Sequence, residues 1–235
     1  MTTRRIAVIG DGKMGRTVAR LAGDSGWTVA AIIGEGSNAG GKGITPATLN
    51  NAQVAIEFTE PSAALGNITA CLRAGCPVVV GTTGWYDELP SITRLAEETK
   101  SALLWSANFS LGVNVMIELA RHAGELIRAT EGFDAHIVET HHSAKKDAPS
   151  GTAIQIERAV REGLAVSVPV TSIRTGSVPG THEIVFDAMF EQLTLTHNAR
   201  DRSVFAAGAL RAAGWLIGRK GVFTMRDVLS LPARG

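Results

Sequence analysis

Along the first half of the chain, short runs of uninterrupted apolar residues alternate with stretches of helical periodicity. The apolar runs are Arg5–Ile9, Trp27–Ile33, Val54–Phe58, Pro77–Val80 and Ala102–Trp105, and helical spacing covers Met14–Ala22, Ser62–Ala74 and Leu89–Thr99. Strands that are apolar on both faces and separated by helices predict a parallel, doubly wound sheet. After Asn108 the pattern changes. One long helix is expected over Leu111–Ile127, a strand over Asp134–Thr140, a polar loop, a helix over Gly151–Glu162, and then strands Val168–Arg174, His182–Met189 and Gln192–Asn198. Consecutive strands with no helix between them imply a mixed or antiparallel sheet, hence a second, α+β domain. An alanine-rich helix over Ser203–Ile217 and a short one over Met225–Leu231 close the pattern and are expected to rejoin the first domain. The expected division is 1–108 plus 207–235 for one domain and 109–206 for the other.

The turn after the first apolar run carries chemistry. Gly10-x-Gly12-x-x-Gly15 lies between a strand and a helix, and Glu35 follows twenty residues after Gly15, near the end of the second strand. In that context the glycines read as a dinucleotide fingerprint of a Rossmann-type sheet. Gly10 permits the turn, Gly12 lets a pyrophosphate approach the backbone, and Gly15 lets helix and strand pack. Glu35 would accept from adenosine ribose hydroxyls and disfavour a 2′-phosphate, whereas Lys13, Arg16 and Lys42 argue the other way; NADH and NADPH both stay open, with a slight preference for NADH or dual use. Gly81-Thr82-Thr83-Gly84 and Ser106-Ala107-Asn108-Phe109 follow later strands and so belong at the same carboxyl edge. The Gly34–Gly43 stretch holds five glycines and reads as the flexible loop of the chain.

A second chemical segment is polar. Glu139 to Thr152 packs His141, His142, Lys145 and Lys146 ahead of a helix start, with Ser150 as N-cap and the N–H groups of Gly151 and Thr152 facing outward. A helix N-terminus beside a lysine holds anions, and a histidine moves protons near neutral pH. The expected ligand is therefore a carboxylate that is both held and protonated. Lysine and arginine number 23 against 22 aspartate and glutamate, which excludes a strong pull toward nucleic acid or an anionic membrane and favours a small molecule. With 45% apolar content and no apolar run of membrane-spanning length, a cytoplasmic location is expected. Cys71 and Cys76 match no metal or redox spacing and read as core residues. His141-His142 makes a poor metal pair, because neighbours on an extended chain point apart, and no metal is expected. His122, His136 and His197 read as structural.

Gly12-Lys13-Met14-Gly15, Phe58-Thr59-x-Pro61, Gly81-Thr82-Thr83-Gly84, Asn108-Phe109-Ser110-x-Gly112-Val113-Asn114, Glu139-x-His141-His142-x-x-Lys145-x-Asp147-Ala148-Pro149-Ser150-Gly151-Thr152-Ala153 and Met225-Arg226-Asp227-Val228-Leu229 occur in that order. Together they resemble the 4-hydroxy-tetrahydrodipicolinate reductase (dihydrodipicolinate reductase) family. The resemblance implies reduction, by NADH or NADPH, of a cyclic dicarboxylate in diaminopimelate and lysine biosynthesis, by a homotetramer joined through its substrate-domain sheets. It also implies roles for particular residues. His141 would be the acid/base and Lys145 the proton donor, with His142, Ser150, Gly151 and Thr152 binding substrate. Gly10, Asp11, Gly12, Lys13, Met14, Glu35, Gly81, Thr82, Thr83, Ser106, Ala107, Asn108 and Phe109 would meet the cofactor. Arg174 and His182 either complete the carboxylate grip or serve ordinary interstrand roles. Two other classes compete: a different dehydrogenase of the same two-domain plan, which need not keep the His-His-x-x-Lys and Ser-Gly-Thr residues, and a non-catalytic dinucleotide sensor, which has no use for an acid beside an anion site. Departures from the family pattern are the short Gly34–Gln53 segment, Glu57 before Phe58-Thr59, and Ser106.

Overall fold

The computed structural model describes residues 4–130 and 132–231, so the ends of the expected first domain, 1–3 and 232–235, lie outside the described residues. Strands are β1 (Arg4–Ile9), β2 (Trp27–Ile33), β3 (Val54–Glu57), β4 (Val78–Val80), β5 (Ala102–Trp105), β6 (Asp134–His141), β7 (Val170–Arg174), β8 (Thr181–Asp187), β9 (Gln192–Asn198) and β10 (Gly221–Thr224). Helices are α1 (Lys13–Asp24), α2 (Pro61–Arg73), α3 (Leu89–Glu98), α4 (Leu111–Arg128), α5 (Gly151–Leu164), α6 (Ser203–Leu216) and α7 (Met225–Val228). The chain divides into two compact units, Met1–Phe109 with Phe205–Gly235, and Ser110–Val204. These boundaries differ from the expected ones by one and two residues.

The first unit is a six-stranded, wholly parallel sheet in the order β10-β5-β4-β3-β1-β2. Its central strands are buried over Ile6–Ile9, Val54–Glu57 and Val78–Val80. That is the burial a parallel sheet requires when crossover helices cover both faces. Cys71 and Cys76 are free thiols in this core, where burial pushes the Cys76 thiol up to about 12 and Cys71 well above its ordinary value. Strand β10 went unforeseen. Its four residues follow the polar pair Arg219-Lys220 and are too few to show a period, and pairing with β5 alone makes them a strand. The last helix begins at Met225 as expected, opens on a capping box between Thr224 and Asp227, and ends three residues early, at Val228.

The second unit is a four-stranded mixed sheet, β7-β6-β8-β9, with β6 parallel to β7 and antiparallel to β8. Helices α4 and α5 bury their apolar faces against Ile137, Ile184 and Phe186. β6 continues one residue beyond the expected Thr140, because His141 pairs with Arg174 of β7. Among the described residues, no helix is long and apolar enough to cross a membrane.

Candidate active site

In the first unit the glycine turn is built as its spacing demanded. Gly10 has φ +100°, and a Cβ there would lie 2.2 Å from the Phe58 carbonyl oxygen; a Cβ on Gly15 would lie 1.9 Å from the Gly10 oxygen. Both positions are closed to any larger residue. Gly12 differs, because a Cβ there would meet nothing within 4 Å. The turn is thus tight on the protein side and open on the other, the shape needed for a pyrophosphate to approach backbone N–H groups at the start of α1. The open side leads into a cavity of about 230 Å³ whose lining includes Gly10, Asp11, Gly12, Glu35, Thr59 and Glu60. Three carboxylates and no lysine or arginine line it. The Asp11 carboxylate sits against Gly34, 2.5 Å from where a Cβ would stand. Lys42 lies instead in a separate groove with Arg73, and the Arg16 guanidinium donates to the Asp11 carbonyl at 2.6 Å.

The glycine-rich loop is more ordered than its composition implied. Two short 3-10 turns, Glu35–Ser37 and Ala39–Gly41, fill it. Asn38 is buried between them, donates to Asn67 at 2.7 Å and accepts from the Gly43 N–H at 3.1 Å. Asn67 donates in turn to the fully buried Glu57 at 3.3 Å, and Thr59 also bonds that carboxylate. Burial raises the Glu57 carboxyl above its ordinary value, against the lowering effect of Thr59, Thr82 and Asn67. The residue that looked like a mild departure thus anchors the loop. Of the other cofactor candidates, Thr82 is buried and its hydroxyl accepts from the Thr59 N–H at 2.8 Å, while Thr83 is exposed. Ser106 closes its turn on Asn108, and Phe109 is a core residue whose ring edge meets Phe58. Only Gly10, Asp11, Gly12 and Glu35 of the thirteen expected cofactor residues line the cavity itself.

In the second unit the polar segment folds onto the edge of the mixed sheet. Ser150 caps α5, accepting from the Ala153 N–H at 3.1 Å, and Gly151 beside it is exposed with open space before it. His141 is 8% exposed and its Nδ1 lies in ion-pair contact with Glu139. His142 is half-buried, and its carbonyl accepts from the Lys145 N–H. Lys145 holds both oxygens of Asp147, at 2.8 and 2.9 Å. That contact lowers the Asp147 carboxyl below its ordinary range.

Sequence reasoning singled out the segment but not its foundation. Glu139 is fully buried and receives the Arg174 guanidinium at 2.6 Å and the Ser150 N–H at 3.3 Å on one oxygen. Burial alone would raise its carboxyl, but Arg174, Ser172 and His141 outweigh that and hold it at about 2. Arg174 also donates to the Asp147 carbonyl at 2.6 Å. Arg174 is therefore tied inside the unit to both Glu139 and the loop before α5. His182 is likewise buried, its ring edge-on to His141 and its Nε2 3.3 Å from the Ser150 hydroxyl; burial and the His141 charge press it down to about 4. For His141, burial lowers the pKa and Glu139 raises it, with the net shift downward. The signal available in sequence was Arg174 and His182 on strands consecutive in the chain, yet only their pairing on either side of β6 shows that they converge on Glu139.

Glu139, His141 and His182 bring ligand-type atoms within 4.8 Å of one another, so the metal question attaches to this trio and not to His141-His142. The donor types would suit a divalent cation, but one Glu139 oxygen already takes the Arg174 guanidinium and the Ser150 N–H, and the Arg174 cation stands beside the trio. His122 is a surface residue beside Glu125, His136 is exposed, and His197 packs at the start of α4, 3.4 Å from the Ser110 hydroxyl.

A strand, glycine turn and helix of dinucleotide-binding shape in one unit, and a buried imidazole–carboxylate–guanidinium cluster in the other, fit a nicotinamide-dependent oxidoreductase. Comparison with known proteins narrows the class. The family "Dihydrodipicolinate reductase, N-terminus" matches residues 4–109 and "Dihydrodipicolinate reductase, C-terminus" matches residues 112–229. The chain belongs to the dihydrodipicolinate reductase family. It is 34% identical over 239 residues to a 4-hydroxy-tetrahydrodipicolinate reductase of Christiangramia forsetii, covering 96% of this chain and 97% of that one. It is 36% identical over 266 residues to the protein of the same name from Thiobacillus denitrificans, covering 97% and 98%. Its fold is similar to the dipicolinate-bound dihydrodipicolinate reductase of Paenisporosarcina sp. TG-14, with a TM-score of 0.80 at 23% identity over 95% of this chain and 98% of the other.

Proposed function

We propose that this protein reduces 4-hydroxy-tetrahydrodipicolinate to tetrahydrodipicolinate in diaminopimelate and lysine biosynthesis, using NADH in preference to NADPH. The observation that carries the reading is His141, buried against Glu139, whose other oxygen takes the Ser150 N–H at the start of α5, in a chain of this family. In this reading the first unit is the dinucleotide domain and the second the substrate and oligomerisation domain, assembled as a cytoplasmic homotetramer. The net reaction adds one hydride and one proton and releases the hydroxyl as water. A reduced nicotinamide supplies the hydride. Lys145 and His141 supply and relay protons where charge develops on the ring, and the Gly151 and Thr152 amides with Ser150 and His142 hold the two carboxylates. The Lys145–Asp147 pair leaves the ammonium close by, ready to exchange one carboxylate for another. Gly10 to Met14 cradle the pyrophosphate, Glu35 and Asp11 face the adenosine ribose, and Gly81 to Thr83 with Ser106 to Phe109 serve the nicotinamide half.

The coenzyme preference rests on the lining of the nucleotide cavity, where Asp11, Glu35 and Glu60 stand without a compensating cation. A 2′-phosphate adds about two charges of the same sign. Steady-state kinetics on freshly generated substrate test reaction and coenzyme together. The expected result is turnover with both coenzymes and a kcat/KM for NADH higher by about tenfold or more, the effect of ~1.4 kcal/mol of repulsion. No turnover with either coenzyme would sink the reductase reading; equal values would sink only the preference.

A further inference from the structure

We infer that Glu139 and Arg174 form a positioning clasp, which fixes the tautomer and orientation of His141 and at the same time seats the loop that carries Lys145. The inference rests on the reading of His141 and Lys145 as proton-handling residues and says what holds them in place. The clasp joins three segments far apart in sequence. Glu139 sits on β6, Arg174 at the end of β7, and the loop before α5 lies over both. On one side, the Glu139 carboxylate meets His141 Nδ1. On the other, it accepts from the Arg174 guanidinium at 2.6 Å and from the Ser150 N–H at 3.3 Å. The same Arg174 nitrogen reaches the Asp147 carbonyl at 2.6 Å, and the Asp147 carboxylate holds Lys145 at 2.8 Å. One ion pair thus sets the positions of the imidazole, of the helix start and of the lysine.

The chemistry follows from which nitrogen is taken. A neutral imidazole has one N–H and one lone pair, and a carboxylate accepts only from the N–H. Contact with Glu139 therefore places the N–H on Nδ1 and leaves Nε2 as the nitrogen that gives or takes the working proton. Space is kept open on that side. A Cβ at Gly180 would stand 3.0 Å from His141 Nε2, so any other residue there would cover it. An acid/base oriented by a third group is a recurrent arrangement, and here the third group is itself held by a guanidinium that needs no proton exchange to keep its charge. Facing the imidazole are Glu139, which raises its pKa, and Lys145 and Arg174, which lower it, with His182 edge-on from β8.

Nitrogen-15 NMR of the imidazoles in the full-length protein, with a His141→Gln spectrum to assign the signal, tests the tautomer without relying on activity. The Nδ1–H form of neutral His141 is expected; the Nε2–H form would overturn the clasp even if the Glu139 variants failed to fold. In the Glu139→Gln protein, kcat/KM is expected to fall about 10- to 100-fold, a share of the ~10²–10⁴ that positioned acid/base groups contribute, while NADH affinity is unchanged. The limb on which activity falls with rising pH should move to lower pH, since the charge that favours the imidazolium is gone. Glu139→Asp should restore part of the rate and move the limb back. A folded Glu139→Gln protein with the parental pH profile would contradict the proposal. Full activity in His141→Gln alongside the Nδ1–H tautomer would instead remove the catalytic reading of His141 and leave the geometry standing.

Discussion

The two units make their sites from different materials. In the parallel unit the site is backbone: Gly10 and Gly15 closed by neighbouring carbonyls, Gly12 open, and acids around the rim. In the mixed-sheet unit it is side chain on side chain, with Glu139, His141, Arg174 and His182 meeting from β6, β7 and β8. Shape made by backbone accepts a bulky, flexible dinucleotide with few buried charges. Proton chemistry needs groups whose protonation states are pushed apart, and that requires burial and paired charge. The second unit accordingly holds a carboxyl at about 2 and an imidazole at about 4 within one cluster.

The contrast breaks most severely at the residues proposed to handle protons. Replacing His141 with Gln or Lys145 with Ala should lower kcat by about 10²–10⁴, the usual share of general acid–base catalysis, while calorimetric NADH affinity stays within about twofold of the parental value. Loss of NADH binding with kcat preserved would show that the chemistry is not confined to the second unit. The converse probe is Gly12→Val. The backbone φ of −71° at Gly12 suits any residue and nothing lies within 4 Å, so the fold should tolerate it. The added side chain would occupy the approach to the turn, and NADH affinity should weaken about 10- to 100-fold, or ~1.4–2.8 kcal/mol, with turnover at saturating NADH nearly retained. Unchanged affinity would mean that the pyrophosphate does not lie over this turn.

The same difference decided what could be read from the sequence. The nucleotide unit was legible because its information is local: an apolar run, a glycine turn and a helix follow one another, and Gly10, Gly12 and Gly15 carry their reasons in their spacing. Its failures were of length and composition. β10 is too short to show a period, and five glycines hid the fact that Asn38 pins the loop through Asn67 to Glu57. The second site was legible only where it too was local. His141, Lys145 and the Ser150 cap lie in one segment, but the residues that hold them are brought together by strand register. Arg174 pairs with His141, and His182 with Glu139, across ladders that no window of sequence contains. The sequence left Arg174 open between a carboxylate grip and an ordinary interstrand role. The structure shows its charge already spent on Glu139.

The smallest expected effect is on stability, and it runs in opposite directions in the two units. His182 in the folded protein titrates near 4, below its ordinary 6.5, so its contribution is present above pH 6.5 and is lost as pH falls from 6.5 toward 4. Glu139, near 2 against an ordinary 4.5, adds a second loss between pH 4.5 and 2. Glu57 has the opposite sign: its folded pKa is raised above 4.5, so its contribution is present below 4.5 and is lost as pH rises through the raised value. Acidification from neutral pH to about 5 should therefore weaken the Ser110–Val204 unit first while leaving the parallel sheet unharmed. Hydrogen exchange of the whole chain, corrected for intrinsic rates at each pH, reads the two units separately. Protection on β6 and β8 should decline before that on β1 and β3, and His182→Gln should flatten the decline between pH 6.5 and 5 if the protein folds. A uniform loss across both sheets, or a faster loss in the parallel one, would mean that the buried polar cluster does not govern the acid response, and that the division between a backbone-built and a charge-built site does not extend to stability.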